Sequence, residues 1–138
     1  MIKFTQVMLV GALLISFAYA EKMTIVDMNT SKKEVGSIEA FVDRLLKLYV
    51  AEDKDGILNL GDDKLKKWYS NHSIEKKYEW YQSLDFERKY KIGYKPDDKV
   101  PGGLKVTVAS YTKGGKGRKK SFFFWVKKID GEWKETHF

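Results

Sequence analysis

Two histidines, His72 and His137, are the only imidazoles in the 138-residue chain, and the second stands in the more suggestive setting. Strand alternation over Trp133-Lys134-Glu135-Thr136-His137-Phe138 puts Trp133, Glu135 and His137 on one face. A carboxylate beside an imidazole can hold it as a general base, which makes His137 the candidate catalytic residue and Glu135 its orienter. The preceding Asp130-Gly131 can close a loop of two, three or four residues, and each length pairs different residues across the hairpin. The face that Trp133 joins therefore stays open at this point. So does the plainer reading of His137 as an ordinary polar residue of a terminal strand.

A second set of residues could bind rather than react. Tyr49, Tyr78, Tyr81, Tyr90, Tyr111, Trp125 and Trp133 could line a ligand pocket, their hydroxyls orienting an apolar guest, although such aromatics equally build a small core. Lys113, Lys116, Arg118, Lys119 and Lys120 cluster at one hairpin tip. They could contact an anionic surface, or simply keep the tip solvated and unable to pair edge to edge. With two histidines a three-histidine metal site is impossible, and no metal or cofactor is expected. No nucleophile elbow, Walker loop, dinucleotide fingerprint or His-Glu-x-x-His sequence occurs. Gly114-Gly115-Lys116-Gly117 joins two predicted strands instead of opening a helix, so it lacks the dipole of a phosphate loop.

The elements that must position these residues follow from periodicity. Ile38, Phe41, Val42, Leu45, Leu46 and Tyr49 recur at three- and four-residue spacing behind Ser37, which predicts a capped helix. Asp53-Lys54-Asp55-Gly56 breaks it. A second helix is predicted over Asp62 to Tyr69, with acids at its positive end, and a third from Ile74 to Ser83, capped by Ser73. From Phe86 to Tyr94 the period becomes two, and strands follow over Leu104–Tyr111, Ser121–Ile129 and Trp133–Phe138. Three helices followed by a meander of about four antiparallel strands is an α+β domain with a helical layer on one face of a curved sheet.

The N-terminus carries a different instruction. Lys3, the apolar run Val7 to Phe17 and the small-x-small Ala18-Tyr19-Ala20 form a secretory signal peptide, residues 1–20, with cleavage before Glu21. Residues 21–36 read as a lead-in segment, partly mobile, and residues 37–138 as the domain. The run is too short to cross a ~30 Å bilayer core, so no stable membrane insertion is expected after cleavage. Localisation is then periplasmic or secreted, and the absence of cysteine and the many lysines favour a bacterial periplasm. A net charge of +7 over the whole chain directs attention to anionic neighbours in the envelope, not to nucleic acid.

The order of helices, then long strands closing in Phe122-Phe123-Phe124-Trp125-Val126, an Asp130-Gly131 turn and Trp133-Lys134-Glu135-Thr136-His137-Phe138, resembles the nuclear transport factor 2-like (NTF2-like) superfamily. The resemblance covers residues 37–138. It implies a strongly bent sheet wrapping a long helix into a cone whose mouth holds a hydrophobic ligand, with a polar residue on the last strand at Glu135 or His137. It also implies homodimers through the open sheet face, where Lys105, Thr107, Ala109 and Tyr111 would lie. Members include acid–base lyases and isomerases as well as binding and spacer modules. The expected function is thus an exported, non-catalytic module that binds a small apolar ligand or a cell-envelope protein. A cone-pocket enzyme, or a secreted inhibitor or immunity-type protein, are the alternatives.

Overall fold

The computed structural model describes residues 22–114 and 117–138, and the signal peptide expected over residues 1–20 lies outside the described residues. Ser37 caps the first helix, α1 (Ile38–Val50), its side chain accepting from the Ala40 amide. The helix turns Val42, Leu45, Leu46 and Tyr49 inward, as the three/four spacing requires. Asp53 does more than break α1: it caps a short α2 (Lys54–Asn59), accepting from the Gly56 amide. Asp62 caps α3 (Asp63–Asn71) through the Leu65 amide. Helix α4 (Glu75–Gln82) buries Tyr78 and Tyr81, and Ser73 accepts from the Glu75 amide at its start. Four helices thus replace the three predicted, because six residues after Asp53 suffice for one capped turn and a half.

The fold is α+β, but the sheet is six-stranded where about four strands were expected. Its strands are β1 (Thr24–Asp27), β2 (Leu84–Asp85), β3 (Lys91–Pro96), β4 (Gly103–Thr112), β5 (Lys119–Ile129) and β6 (Glu132–Thr136). They run antiparallel in the order β1-β3-β4-β5-β6, with β2 also pairing β4. The extra strands have separate causes. The presumed lead-in contributes β1, which pairs Ile25 with Gly93, because Thr24-Ile25-Val26 carries β-branched residues that fit an edge strand. Met28, directly after it, is 1 % exposed and anchors the segment. Of the strand predicted over Phe86 to Tyr94 only the part from Lys91 is strand, as β3, and β2 forms just before Phe86: Lys89 takes φ 56°, and the Ser110 hydroxyl lies within hydrogen-bond reach of the carbonyls of Asp85 and Arg88 at either end of the interruption.

Asp130 and Gly131 both have positive φ, 52° and 82°, and Ile129 pairs Glu132, so the last hairpin has a two-residue loop of type I′ form. That fixes the open register. Val126 pairs Glu135 and Lys128 pairs Trp133. One sheet face, carrying Val26, Ile92, Val106, Val108, Phe124 and Val126, packs on the helices as the core, while the opposite face carries Ile25, Gly93, Thr107 and Phe123 in one row. A short parallel bridge ties α2 to the last strand: the Glu135 amide donates to the Leu60 carbonyl, and the Asp62 amide donates to that of Glu135.

Candidate functional site

The two-residue turn sends Glu135 into the core, beside Val126, where it is 0 % exposed. Its Oε1 accepts from the Tyr49 hydroxyl at 2.7 Å, and its Oε2 lies 3.6 Å from Lys77 Nζ. The Tyr69 hydroxyl stands 2.8 Å from that of Tyr49, so with the Tyr49 proton given to the carboxylate, Tyr69 donates to Tyr49. Burial pushes the Glu135 carboxyl up from its ordinary value, and Lys77 and the Tyr49 hydrogen bond only partly oppose it. Burial, followed by the nearby carboxylate, pushes Tyr49 and Tyr69 up as well. Neither Lys77 nor Tyr69 was marked as a site residue by the sequence. No spacing signal joins them, because Tyr69 stands in α3 and Lys77 in α4 with a turn between.

His137 belongs to a different assembly, so the predicted His137–Glu135 pair does not form. Its ring lies past the end of β6 and stacks on Trp68, centroids 3.9 Å apart. Trp68 stacks on His72 from its other side at 3.6 Å, one helical turn along α3. His137 Nδ1 is 3.0 Å from the Phe138 main-chain oxygen, an acceptor, so that nitrogen carries the hydrogen. Burial lowers the His137 pKa, and the charges of Lys77 and His72 add to the effect. Imidazole and carboxylate therefore serve two clusters, one stacked and one buried.

The predicted pocket aromatics also separate. Tyr49, Tyr78, Tyr81 and Tyr90 lie inside the hydrophobic core. Tyr49 and Tyr81 are 5.2 Å apart at their centroids, and Tyr81 meets Phe124 edge-on. Tyr111 sits on the other sheet face between Arg88 and Lys119. Trp125 shares that face and donates from Nε1 to Asp97 Oδ2 at 3.0 Å. Asp97 is held below the usual carboxylate range by the Lys99 amide and then by this indole. Trp133 is half-buried and lines, with Phe41, Arg44 and Leu60, a groove of about 390 Å³ beside the start of α1. A narrower apolar groove of about 210 Å³ runs between α1 and Phe86-Tyr90. Lys113, Arg118, Lys119 and Lys120 are exposed together at the β4–β5 tip, while Lys116 lies outside the described residues.

On the sheet face turned from the helices, Ile25 is 66 % and Phe123 46 % exposed, with Met23 beside them over Gly93. Lys91, Lys95, Lys105 and Lys127 share this face by register, and Lys105 Nζ stands 4.3 Å over the Phe123 ring. Among the described residues no three His, Asp or Glu side chains converge as metal ligands, and no helix is long and apolar enough to cross a membrane.

Fold and site together define an α+β protein with helices on one face of a six-stranded antiparallel sheet, a sealed polar cluster in its core and an apolar, lysine-rich open face. No protein-family model, curated protein or solved structure matches the chain.

Proposed function

We propose that the chain is an exported, non-catalytic NTF2-like module that docks on an acidic cell-envelope protein through the open face of its sheet. The observation that carries this is the pairing of exposed Met23, Ile25 and Phe123 with Lys91, Lys95, Lys105 and Lys127 on one face, against Asp27 of β1 and Glu132 of β6, the acids that share it by register. Apolar side chains set among mainly basic ones suit a partner with an apolar centre and an acidic rim. Two copies of a face this basic would repel, which disfavours a homodimer formed through it.

The cone-pocket enzyme requires an opening at the last-strand acid. Glu135 is instead covered by Tyr49, Tyr69 and Lys77, and Tyr81 and Phe124 fill the space between helix and sheet. A sealed carboxylate supports a structural role. The cone and the family remain part of this proposal, supported by the helices-then-meander order and the Asp130-Gly131 turn before the Trp133 strand.

The test places a photo-crosslinking benzoylphenylalanine at position 123, and separately at the exposed Lys47 of α1, in protein exported by its own host. An adduct formed only from position 123 is expected. Its partner, purified, should have an acidic surface, and its binding should weaken at least tenfold with Ile25→Ser/Phe123→Ser and fall steeply with salt. An adduct of twice the protein's mass, or crosslinked lipid, would overturn the reading.

A further inference from the structure

We infer that the groove between α1 and the Phe86–Tyr90 segment is a binding site for a small neutral molecule, one ring or its aliphatic equivalent, that carries a hydrogen-bond acceptor at one end. The groove has a volume of about 210 Å³. Drug-sized sites begin at about 300 Å³ and a cavity of about 150 Å³ takes benzene, so the space suits a guest of a single ring.

The lining excludes a charged guest. Leu46, Val50, Ala51, Phe86 and Tyr90 form an apolar wall, and the two charges beside it, Asp43 and Lys47, are paired to each other at 3.0 Å one helical turn apart. Main-chain groups around the groove are paired as well. Gln82 donates to the Val50 carbonyl, Asn29 donates to that of Phe86 and accepts from the Tyr90 amide, and the Met28 amide donates to the Tyr90 carbonyl. One polar atom is left over. Tyr90 is 3 % exposed, and among the described residues its hydroxyl has no hydrogen-bond partner.

A buried hydroxyl without a partner costs stability, and one in the wall of a groove can be answered from the groove. Burial and then the Asp43 carboxylate hold the proton on this phenol, so it donates and the guest accepts. The hydroxyl is closed to bulk solvent, so the acceptor reaches it as the ring of Phe86 swings aside. Phe86 is half-buried, packs edge-on against Tyr90 at 4.8 Å and stands between β2 and β3 in neither strand. None of Glu135, Tyr49, Tyr69 and Lys77 lines the groove, and the open face is on the other side of the sheet, so this site stands whether or not that face docks a partner.

The experiment is calorimetric titration of the protein with acetophenone, with ethylbenzene and with benzoate, paired with amide and aromatic NMR shifts. Saturable acetophenone binding is expected, about fivefold tighter than ethylbenzene because only the ketone accepts from Tyr90, with benzoate weaker than both. The shifts should centre on Leu46–Ala51 and Phe86–Tyr90. Tyr90→Phe keeps the ring and removes the unpaired hydroxyl, so it should fold at least as stably as wild type, leave ethylbenzene unchanged and bring acetophenone down to it. Equal affinity for ketone and hydrocarbon in the wild type, which would leave the hydroxyl to water, would overturn the inference. So would a preference for the ketone that survives Tyr90→Phe, benzoate as tight as the ketone, shifts centred on the Trp133 groove, or no saturation by millimolar acetophenone. The shift map and the affinity ratio are read in the wild-type protein, so the proposal stays falsifiable even if the variant folds poorly.

Discussion

At Glu135 a carboxylate gives up all of its water and receives a tyrosine hydroxyl and a lysine in return. Its pKa is raised by burial, so the folded state holds the proton more tightly than the unfolded chain does. The resulting stabilisation is fully present below the ordinary value of 4.5 and is lost as pH rises through the folded value. Urea unfolding of wild type and Glu135→Gln between pH 4 and 8 should therefore show the wild type losing ground to the variant as pH rises; a constant difference would contradict it. Lys77→Met leaves the carboxylate without its cation and should cost up to about 3 kcal/mol at neutral pH, with Lys77→Met/Glu135→Gln recovering part of the loss. The tyrosines carry the same sign at the other end of the scale. Tyr49, Tyr69, Tyr81 and Tyr90 are all pushed above 10 mainly by burial, so their contribution is present below pH 10 and lost as pH climbs beyond it. In ultraviolet difference titration these four phenols should ionise together with cooperative unfolding. Independent titration in a folded protein would refute the burial argument.

Among elements, the last hairpin decides where Glu135 goes, because a one-residue change in its loop would put the acid on the opposite face. Gly131 holds φ 82° with open space around it, so Gly131→Ala meets strain and no clash. A loss of about 1–2 kcal/mol is expected in chemical denaturation, with the Val126–Glu135 pairing retained in backbone nuclear Overhauser contacts. Asp62 serves two elements, capping α3 and accepting from the Thr136 hydroxyl of β6, so Asp62→Ala should cost more than Ser37→Ala, whose cap alone is worth about 1 kcal/mol. Much of this architecture is legible in the residues. The spacing of Ile38, Val42, Leu45 and Tyr49 gives α1, and the alternation of Val106 and Val108 gives the buried face of β4. Other parts are not, for definite reasons. The edge strand β1 draws its pairing from β3, some 65 residues away, and carries little amphipathic signal of its own. The Phe86–Tyr90 interruption depends on a hydroxyl from Ser110, and the Glu135–Lys77 contact joins residues from opposite halves of the domain. Face assignment by alternation did select Glu135 as a last-strand residue set apart, but its partner could not be read from β6 alone.

Across the whole molecule, one sheet divides two kinds of hydrophobic residue that composition alone does not distinguish. Ile92 and Ile25 are the same residue type on neighbouring strands, yet Ile92 is 1 % exposed against the helices and Ile25 is 66 % exposed on the other side. Truncating Ile92 leaves a cavity among Val26, Val108 and the helices, so Ile92→Ala should destabilise by about 2–5 kcal/mol. Ile25→Ser removes area that is already largely in water, and should stay within about 0.5 kcal/mol of wild type apart from its effect on the β1 edge. Phe123→Ser, which gives up the contact with Lys105, belongs with Ile25→Ser. Thermal or urea unfolding of the three variants separates the two faces directly. If the open face were merely a loosely packed part of the core, Ile25→Ser and Phe123→Ser would cost as much as Ile92→Ala. If it is a surface held open for a partner, those two substitutions leave folding intact while abolishing docking, and stability and binding then map to opposite faces of one sheet.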